Sequence, residues 1–282
     1  LTYHRLKIQK HTKPKKISPK KIFFLGLFLL LIAELAYFIL FWPGWQIKEI
    51  KISFEQDSML KQEDILLVVN QALSKNIFIC SVSDIKASLI KAFPQIKEIE
   101  IKKTIRPKFF QQNKGSFLEI KILERKSEAI WCQVNATSTT SVLQIEQCFY
   151  LDKQGVVYQQ APIMEGGLVL SIYDFRAVDI ELGKQIISQQ MTDFILEIKE
   201  KLPRILNSLE SSDGLGISYL EINSLQELIV HTSEKWQIYM TLQQSADKQL
   251  EILKRALNDQ IKQSRKSIKY IDLRIENRAY YQ

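Results

Sequence analysis

Three histidines, three cysteines and 31 acidic side chains are the residues from which this chain could build a reactive centre. Hydrolysis or group transfer needs a nucleophile beside a base, a metal held by clustered ligands, or two carboxylates facing one site. His4 and His11 lie in a lysine-rich N-terminal stretch, and His231 ends a strand-like run with no Ser, Cys or Asp signature around it. Phosphate-cradling glycine patterns are absent, because Gly166-Gly167 and Gly214/Gly216 fall where loops are expected. The acids read as solvated faces. The sequence therefore predicts no catalytic residue, no metal, no cofactor and no small-molecule substrate.

The cysteines say more. Cys132 and Cys148 flank a fifteen-residue segment rich in Thr and Ser, and each lies in a strand-like run. In an outer compartment the pair is expected to bond and clip two neighbouring strands, worth on the order of 3 kcal/mol for a loop of that size. The alternative is two buried free thiols. Cys80 sits in an apolar context and reads as core. Between the pair, Asn135-Ala136-Thr137 is a glycosylation acceptor pattern whose meaning depends on the host.

The compartment is read from the first residues. Ile22 to Trp42, IFFLGLFLLLIAELAYFILFW, would span roughly 31 Å as a helix, about the thickness of a hydrocarbon core. A signal peptide is the competing reading. Its apolar region is shorter, about 7 to 15 residues, and this run ends in Phe41-Trp42-Pro43-Gly44-Trp45, as an anchor ends at the headgroups. Residues 1–21 hold eight Lys and Arg and no acid, equal to the whole net charge of +8. The remaining 261 residues balance 31 basic against 31 acidic side chains, so the high pI gives no support to a nucleic-acid partner. The basic tail instead predicts a cytoplasmic N-terminus, an outer C-terminal bulk, and contact with anionic lipid. Leu1 marks either a fragment or an alternative start codon read literally. Glu34, the one charge in the span, either faces a partner helix as a pairing determinant or is protonated.

About 235 residues follow the span, enough for two modest domains. Ile47, Ile50 and Ile52 open a strand; Lys61 to Leu73 is spaced as a helix; Asn76 to Ile79 is short and extended; Ser83 caps a second helix stopped before Pro94. Ile96 to Ile105 and Leu118 to Ile122 alternate as strands around a polar loop, Arg106 to Ser116. Strands are then expected at Ala129 to Val134, Phe149 to Asp152 and Val156 to Tyr158, with Asp152-Lys153-Gln154-Gly155 as a turn. A helix runs from Gln185 to Lys201 before Pro203 interrupts it. Strands at Ile217 to Ile222, Glu227 to His231 and Lys235 to Leu242, a helix from Ala246 to Ile261, and a last strand Ile268 to Ile275 complete the chain.

This order, with Glu124-Arg125-Lys126-Ser127-Glu128-Ala129, Asp152 to Gly155 and Tyr270-Ile271-Asp272-Leu273-Arg274, resembles the bacterial cell division family FtsQ/DivIB. The likeness covers nearly the whole chain. Two departures stand out: Ser127 replaces the family's usual Pro, and the loop after Arg106-Pro107 is longer than usual. The resemblance implies an α+β fold. Residues 1–21 would be the basic cytoplasmic tail, 22–42 the single transmembrane helix, and 46–124 a polypeptide-transport-associated (POTRA) domain of β-α-α-β-β order. Residues 125–282 would form a mixed β domain with two long helices and a C-terminal edge strand.

It also implies a non-enzymatic, single-pass scaffold in the bacterial cytoplasmic membrane, gathered at the division septum. Such a scaffold binds FtsB/DivIC-like and FtsL-like bitopic proteins and other divisome proteins, and helps control septal peptidoglycan synthesis. The last strand would receive a partner strand if its outer edge is open. Arg274 would meet a partner acid, with Tyr270, Asp272, Ile275, Asn277 and Tyr280 around it. The alternative for these residues is an ordinary amphipathic edge strand. Two other classes of function are a membrane-anchored POTRA module assisting polypeptide translocation or assembly, and an outer-surface hydrolase, which would have to use His231.

Overall fold

The computed structural model describes residues 19–55, 58–105, 116–134, 144–164, 169–207 and 216–282. Most of the basic tail, the loop 106–115, the Asn135 acceptor pattern and the glycines at 166, 167 and 214 lie outside them. The fold is α+β, with one N-terminal apolar helix and a large mixed sheet. Its contacts divide it into two compact units, one of Leu1–Lys51, Val69–Val82 and Ile101–Ile120, the other of Ile52–Val68, Ser83–Glu100 and Lys121–Gln282.

The first unit begins with α1, Pro19–Phe41, which buries no residue. Among the described residues it is the one helix long and apolar enough to cross a membrane. A 3-10 turn, Pro43–Trp45, leads to β1, Ile47–Phe54. The chain here is pinned to a later segment by main-chain bonds: Ile47 donates to Lys75 O (3.0 Å), Ser74 to Ile47 O (2.9 Å) and Ile77 to Trp45 O (2.9 Å). Of the extended piece expected from Asn76 to Ile79, Asn76 pairs with Gln46 in an antiparallel bridge, whereas Ile77 to Ile79 is a turn in which the amides of Ile79 and Cys80 both reach back to Asn76 O.

The helices α2, Gln62–Val69, and α3, Val82–Ala92, follow β1, and then come β2, Ile96–Thr104, and β3, Ser116–Glu124. The three strands form a sheet in the order β1-β3-β2. Helix α3 starts at Val82, so Ser83 lies inside its first turn and is not the cap expected.

The second unit is built on nine strands in the order β12-β11-β10-β9-β8-β7-β4-β5-β6. These are β4 (Ala129–Val134), β5 (Ile145–Leu151), β6 (Val157–Ala161), β7 (Ser171–Asp174), β8 (Ile217–Ile222), β9 (Glu227–Thr232), β10 (Gln237–Thr241), β11 (Tyr270–Asp272) and β12 (Tyr280–Tyr281). Pairing is parallel at β4/β7, β7/β8 and β10/β11 and antiparallel elsewhere. Two helices, α4 (Gln189–Asn207) and α5 (Ala246–Arg255), supply the core with the sheet: Met191, Ile198, Leu202, Leu250 and Leu253 are buried with Trp131, Leu220, Val230 and Ile238. A π-helical stretch, Ala256–Ile261, and a 3-10 stretch, Lys262–Ser267, carry α5 on to β11.

Helix α4 starts four residues late because Gln185 bridges Val156 and Ser188 caps the helix, its hydroxyl accepting from Met191 N at 3.2 Å. The same helix continues through Pro203, which forfeits a main-chain bond at about 3 kcal/mol; Leu202 and Leu206, both fully buried, hold the last turn to the core. Strand β7, which the sequence reading missed, is four residues with all four side chains buried, too short for alternation to show.

The turn Asp152-Lys153-Gln154-Gly155 shapes this unit. Asp152 is 2% exposed. Its Oδ1 accepts from Gln154 N (2.8 Å) and Val156 N (2.9 Å), and its Oδ2 takes Arg125 Nη1 at 2.5 Å. Arg125 also donates from Nε to Pro94 O (3.2 Å) and from its main chain to Gln95 O (2.8 Å). Gly155 has φ of +76°, and a Cβ there would stand 2.4 Å from Ile187 O and 2.7 Å from Thr192 Oγ1. Gly155→Ala is therefore expected to cost about 2 kcal/mol or more, through strain and displacement of the start of α4. Urea unfolding of the full chain in detergent measures it; an unchanged midpoint would show that the turn relaxes freely.

Candidate functional site

The candidate residues of the last strand divide once their main-chain partners are traced. Strand β11 is only Tyr270–Asp272, shorter than the Ile268 to Ile275 expected, and it lies parallel to β10 with Tyr239 opposite Asp272. Its outer side is not open, because β12 folds back on it with Tyr281 opposite Ile271 and Tyr280 opposite Asp272. The strand stops where Asp272 turns on its own chain: Oδ1 accepts from Arg274 N at 3.0 Å. Asn277, at φ +58°, makes the reversal, a conformation Asn tolerates better than most residues. The open edge of the nine-stranded sheet at this end is therefore β12.

Arg274 is the centre of the cluster. Its Nε and Nη2 grip both Asp272 oxygens (3.0 and 2.6 Å), Nη1 reaches Glu227 Oε1 (3.2 Å), and the guanidinium lies 5.1 Å from the Tyr239 ring centre. The Asp272 bonds, opposed by partial burial, raise the Arg274 pKa, so the charge is permanent. Burial pushes the Asp272 carboxyl up, but the side-chain and main-chain bonds from Arg274 outweigh it and leave it below the usual value of 3.8. Tyr270 stands edge-on to Tyr239 at 5.7 Å, and Tyr280 accepts from Arg278 Nη1 at 3.2 Å.

Tyr270, Asp272, Arg274 and Tyr280 thus meet on one edge, with Ile275 52% exposed beside them and Asn277 serving the turn. Tyr239 and Glu227, which complete the cluster, were absent from the sequence reading. Alternation along β9 and β10 could have found them, since Glu227 and Tyr239 belong to the odd-numbered, half-buried face.

The remaining candidates lie elsewhere. Cys132 and Cys148 are joined by a disulfide across β4 and β5, as directly opposed residues with Cα atoms 4.1 Å apart. Four strands separate β11 from β4 in the sheet order. Cys80 is buried and unbonded. Glu34 belongs to the other unit, exposed on α1.

His231 is no isolated surface residue. Its Nε2 lies 2.7 Å from Glu221 Oε2, and its ring stacks on Tyr219 at 4.0 Å, with Tyr173 a further 4.9 Å from Tyr219. Among the described residues no group of three or more His, Cys, Asp or Glu is placed to hold a metal ion. No protein-family model matches the chain, and no curated protein matches it.

The Glu221 carboxyl is held below its usual 4.5 by the bond to His231, against burial, with help from Asn223 and the imidazole. A carboxyl depressed in the folded state binds fewer protons there. Its stabilisation is present above the unfolded value of 4.5 and is lost as pH falls through the lower folded value. Glu221→Gln should cost about 1 kcal/mol at neutral pH, and the gap to the parent should close below pH 4.5. Urea unfolding across pH reads both, and a gap that stays constant with pH would contradict the assignment.

Proposed function

We propose that this chain is a bitopic scaffold of the bacterial division machinery, of the FtsQ/DivIB kind. The N-terminal tail is cytoplasmic, α1 spans the cytoplasmic membrane, and the residues after α1 stand outside at the septum. It works by holding other proteins, FtsB/DivIC-like and FtsL-like bitopic partners, and so helps license septal peptidoglycan synthesis. Residues 46–124 act as the POTRA domain and 125–282 as the partner-binding domain.

The observation that carries the reading is the edge at β12. Main-chain groups along a strand alternate in direction. Gln282 N donates to Tyr270 O at 3.3 Å and Lys269 N donates to Gln282 O, so the Gln282 groups face β11. Tyr281, one residue earlier, therefore turns its N–H and C=O outward, where a partner strand can pair. Arg274 sits within this edge, 38% exposed, with a fixed charge and a frame of Tyr239, Tyr270 and Tyr280 beside it. That combination, open main chain beside a braced cation and aromatic rings, suits an acidic partner strand. The motifs support the same reading: the Asp152 to Gly155 turn and Arg125 of the Glu124-Arg125 pair bond each other, so two separate sequence signatures are one structural device.

Two experiments test it. In the full chain held in nanodiscs, Tyr281→Pro removes the outward N–H, and Arg274→Glu reverses the cation. Each is expected to weaken binding of the host's own FtsB-type protein by about tenfold or more. Unchanged affinity in both would remove the edge from the account. Depletion in the native host should give filaments with failed constriction, and a fluorescent fusion should form a midcell band; normal division on depletion refutes the scaffold role.

A further inference from the structure

Phe78 and Ile79 are 48% and 62% exposed, although the residues on either side, Ile77 and Cys80, are buried. Two adjacent large apolar side chains held out in this way form a small apolar patch, and what it faces gives it meaning. Their position within the first unit says which. Asn76 Nδ2 donates to Ile39 O (2.7 Å) and Leu40 O (2.9 Å), two of the carbonyls that the last turn of α1 leaves without helical partners. The Asn76 Oδ1 accepts from Phe78 N at 2.8 Å, so one side chain ties the helix end to the start of the exposed pair. An aromatic series runs the same way: Phe38 to Trp42 (4.3 Å), Trp42 to Trp45 (5.4 Å), Trp45 to Phe78 (5.2 Å).

Carbonyls of a helix point toward its C-terminal end, so the Asn76 amide sits about one turn, ~5 Å, beyond Ile39, level with Trp42. A span beginning at Ile22 fills a core of about 30 Å by that same residue. Trp42 and Trp45 are therefore at the headgroup boundary, and Phe78 and Ile79 are latched to the same depth. Lys75 is exposed beside them, and Lys103 Nζ donates to Cys80 O at 2.6 Å, so cations flank the pair as anionic headgroups require.

We propose that Asn76 to Cys80 is a second membrane-contact site, in which Phe78 and Ile79 insert into the interfacial region of the leaflet that the C-terminal end of α1 meets. Asn76 is the latch that holds them there. The outer part of the first unit is then seated on the bilayer and does not swing from the span. This inference rests on the reading of α1 as a membrane span.

The test uses the full chain in vesicles of phosphatidylethanolamine and phosphatidylglycerol, with the photo-crosslinker benzoylphenylalanine placed at Ile79. Parallel samples carry it at Leu30, within the span, and at Glu251, on an exposed face of α5. Mass spectrometry is expected to find phospholipid adducts at positions 79 and 30 and background at 251. Asn76→Ala should lower the adduct at 79 severalfold and leave that at 30 unchanged. Adducts at 30 without any at 79, or crosslinks from 79 to a second copy of the chain in place of lipid, overturn the contact site while the span stands. An adduct at 79 indifferent to Asn76→Ala overturns the latch. Absence of lipid at 30 sinks the span itself.

Discussion

The carboxylate of Asp152 is the constraint from which much of the larger unit follows. A nearly buried anion must be satisfied or it unfolds its surroundings, and this one is satisfied by two main-chain amides of its own turn and by Arg125. The amides force the chain into a tight reversal. Gly155 then meets Ile187 O at a distance no side chain would permit, and this seats the turn against the residues that lead into α4. The guanidinium in turn holds Pro94 O, and the Arg125 main-chain N–H holds Gln95 O. Removing one member of such a pair leaves the other charge stranded, a cost of about 3 kcal/mol.

Around that device the sheet has two chemical faces. The helical side is mainly apolar, from Trp131 to Leu273, with the buried Asp174 and Gln249 satisfied by hydrogen bonds, and it carries a proline inside α4. The other side is mixed: Tyr173, Tyr219, His231, Glu221, Tyr239 and Tyr270 lie on neighbouring strands and bond or stack with one another. Such a surface is stable in water yet rich in rings and fixed charges, the composition from which protein interfaces draw their strongest contacts. In the proposed function its Tyr239 and Tyr270 lie beside the edge that a partner strand would extend.

Burial decided where the expectations from sequence succeeded. Strand β4 and strand β8 have the predicted bounds, because each carries a clear apolar run or alternation between polar turns. Helix α1 was legible from composition, since its run of apolar residues is long enough for a helix to cross a membrane. The cysteine pair was legible because both residues lay in strand-like runs at a spacing a single hairpin can close. Failures came where a distant partner overrode a local signal. Gln185 reads as helix in isolation, but its bridge to Val156 is set by a segment almost thirty residues away. Asn76 pairs with Gln46 in the extended way expected, but the chain turns directly after it and its side chain serves α1.

The site divides in the same way. Composition and periodicity alone marked the long apolar run, the confinement of net charge to the N-terminal stretch, the mix of helices and strands, and a late strand around Tyr270 and Asp272, whereas the family resemblance is what singled out Arg274 and Tyr280. Only the tertiary structure decided that β11 is covered and β12 is the edge, that Asn277 makes the reversal, and that Glu227 and Tyr239 complete the Arg274 cluster. The reason is physical: alternation along one strand tells which side chains share a face, but which strand lies beside which is set by long-range pairing that leaves no trace in local order.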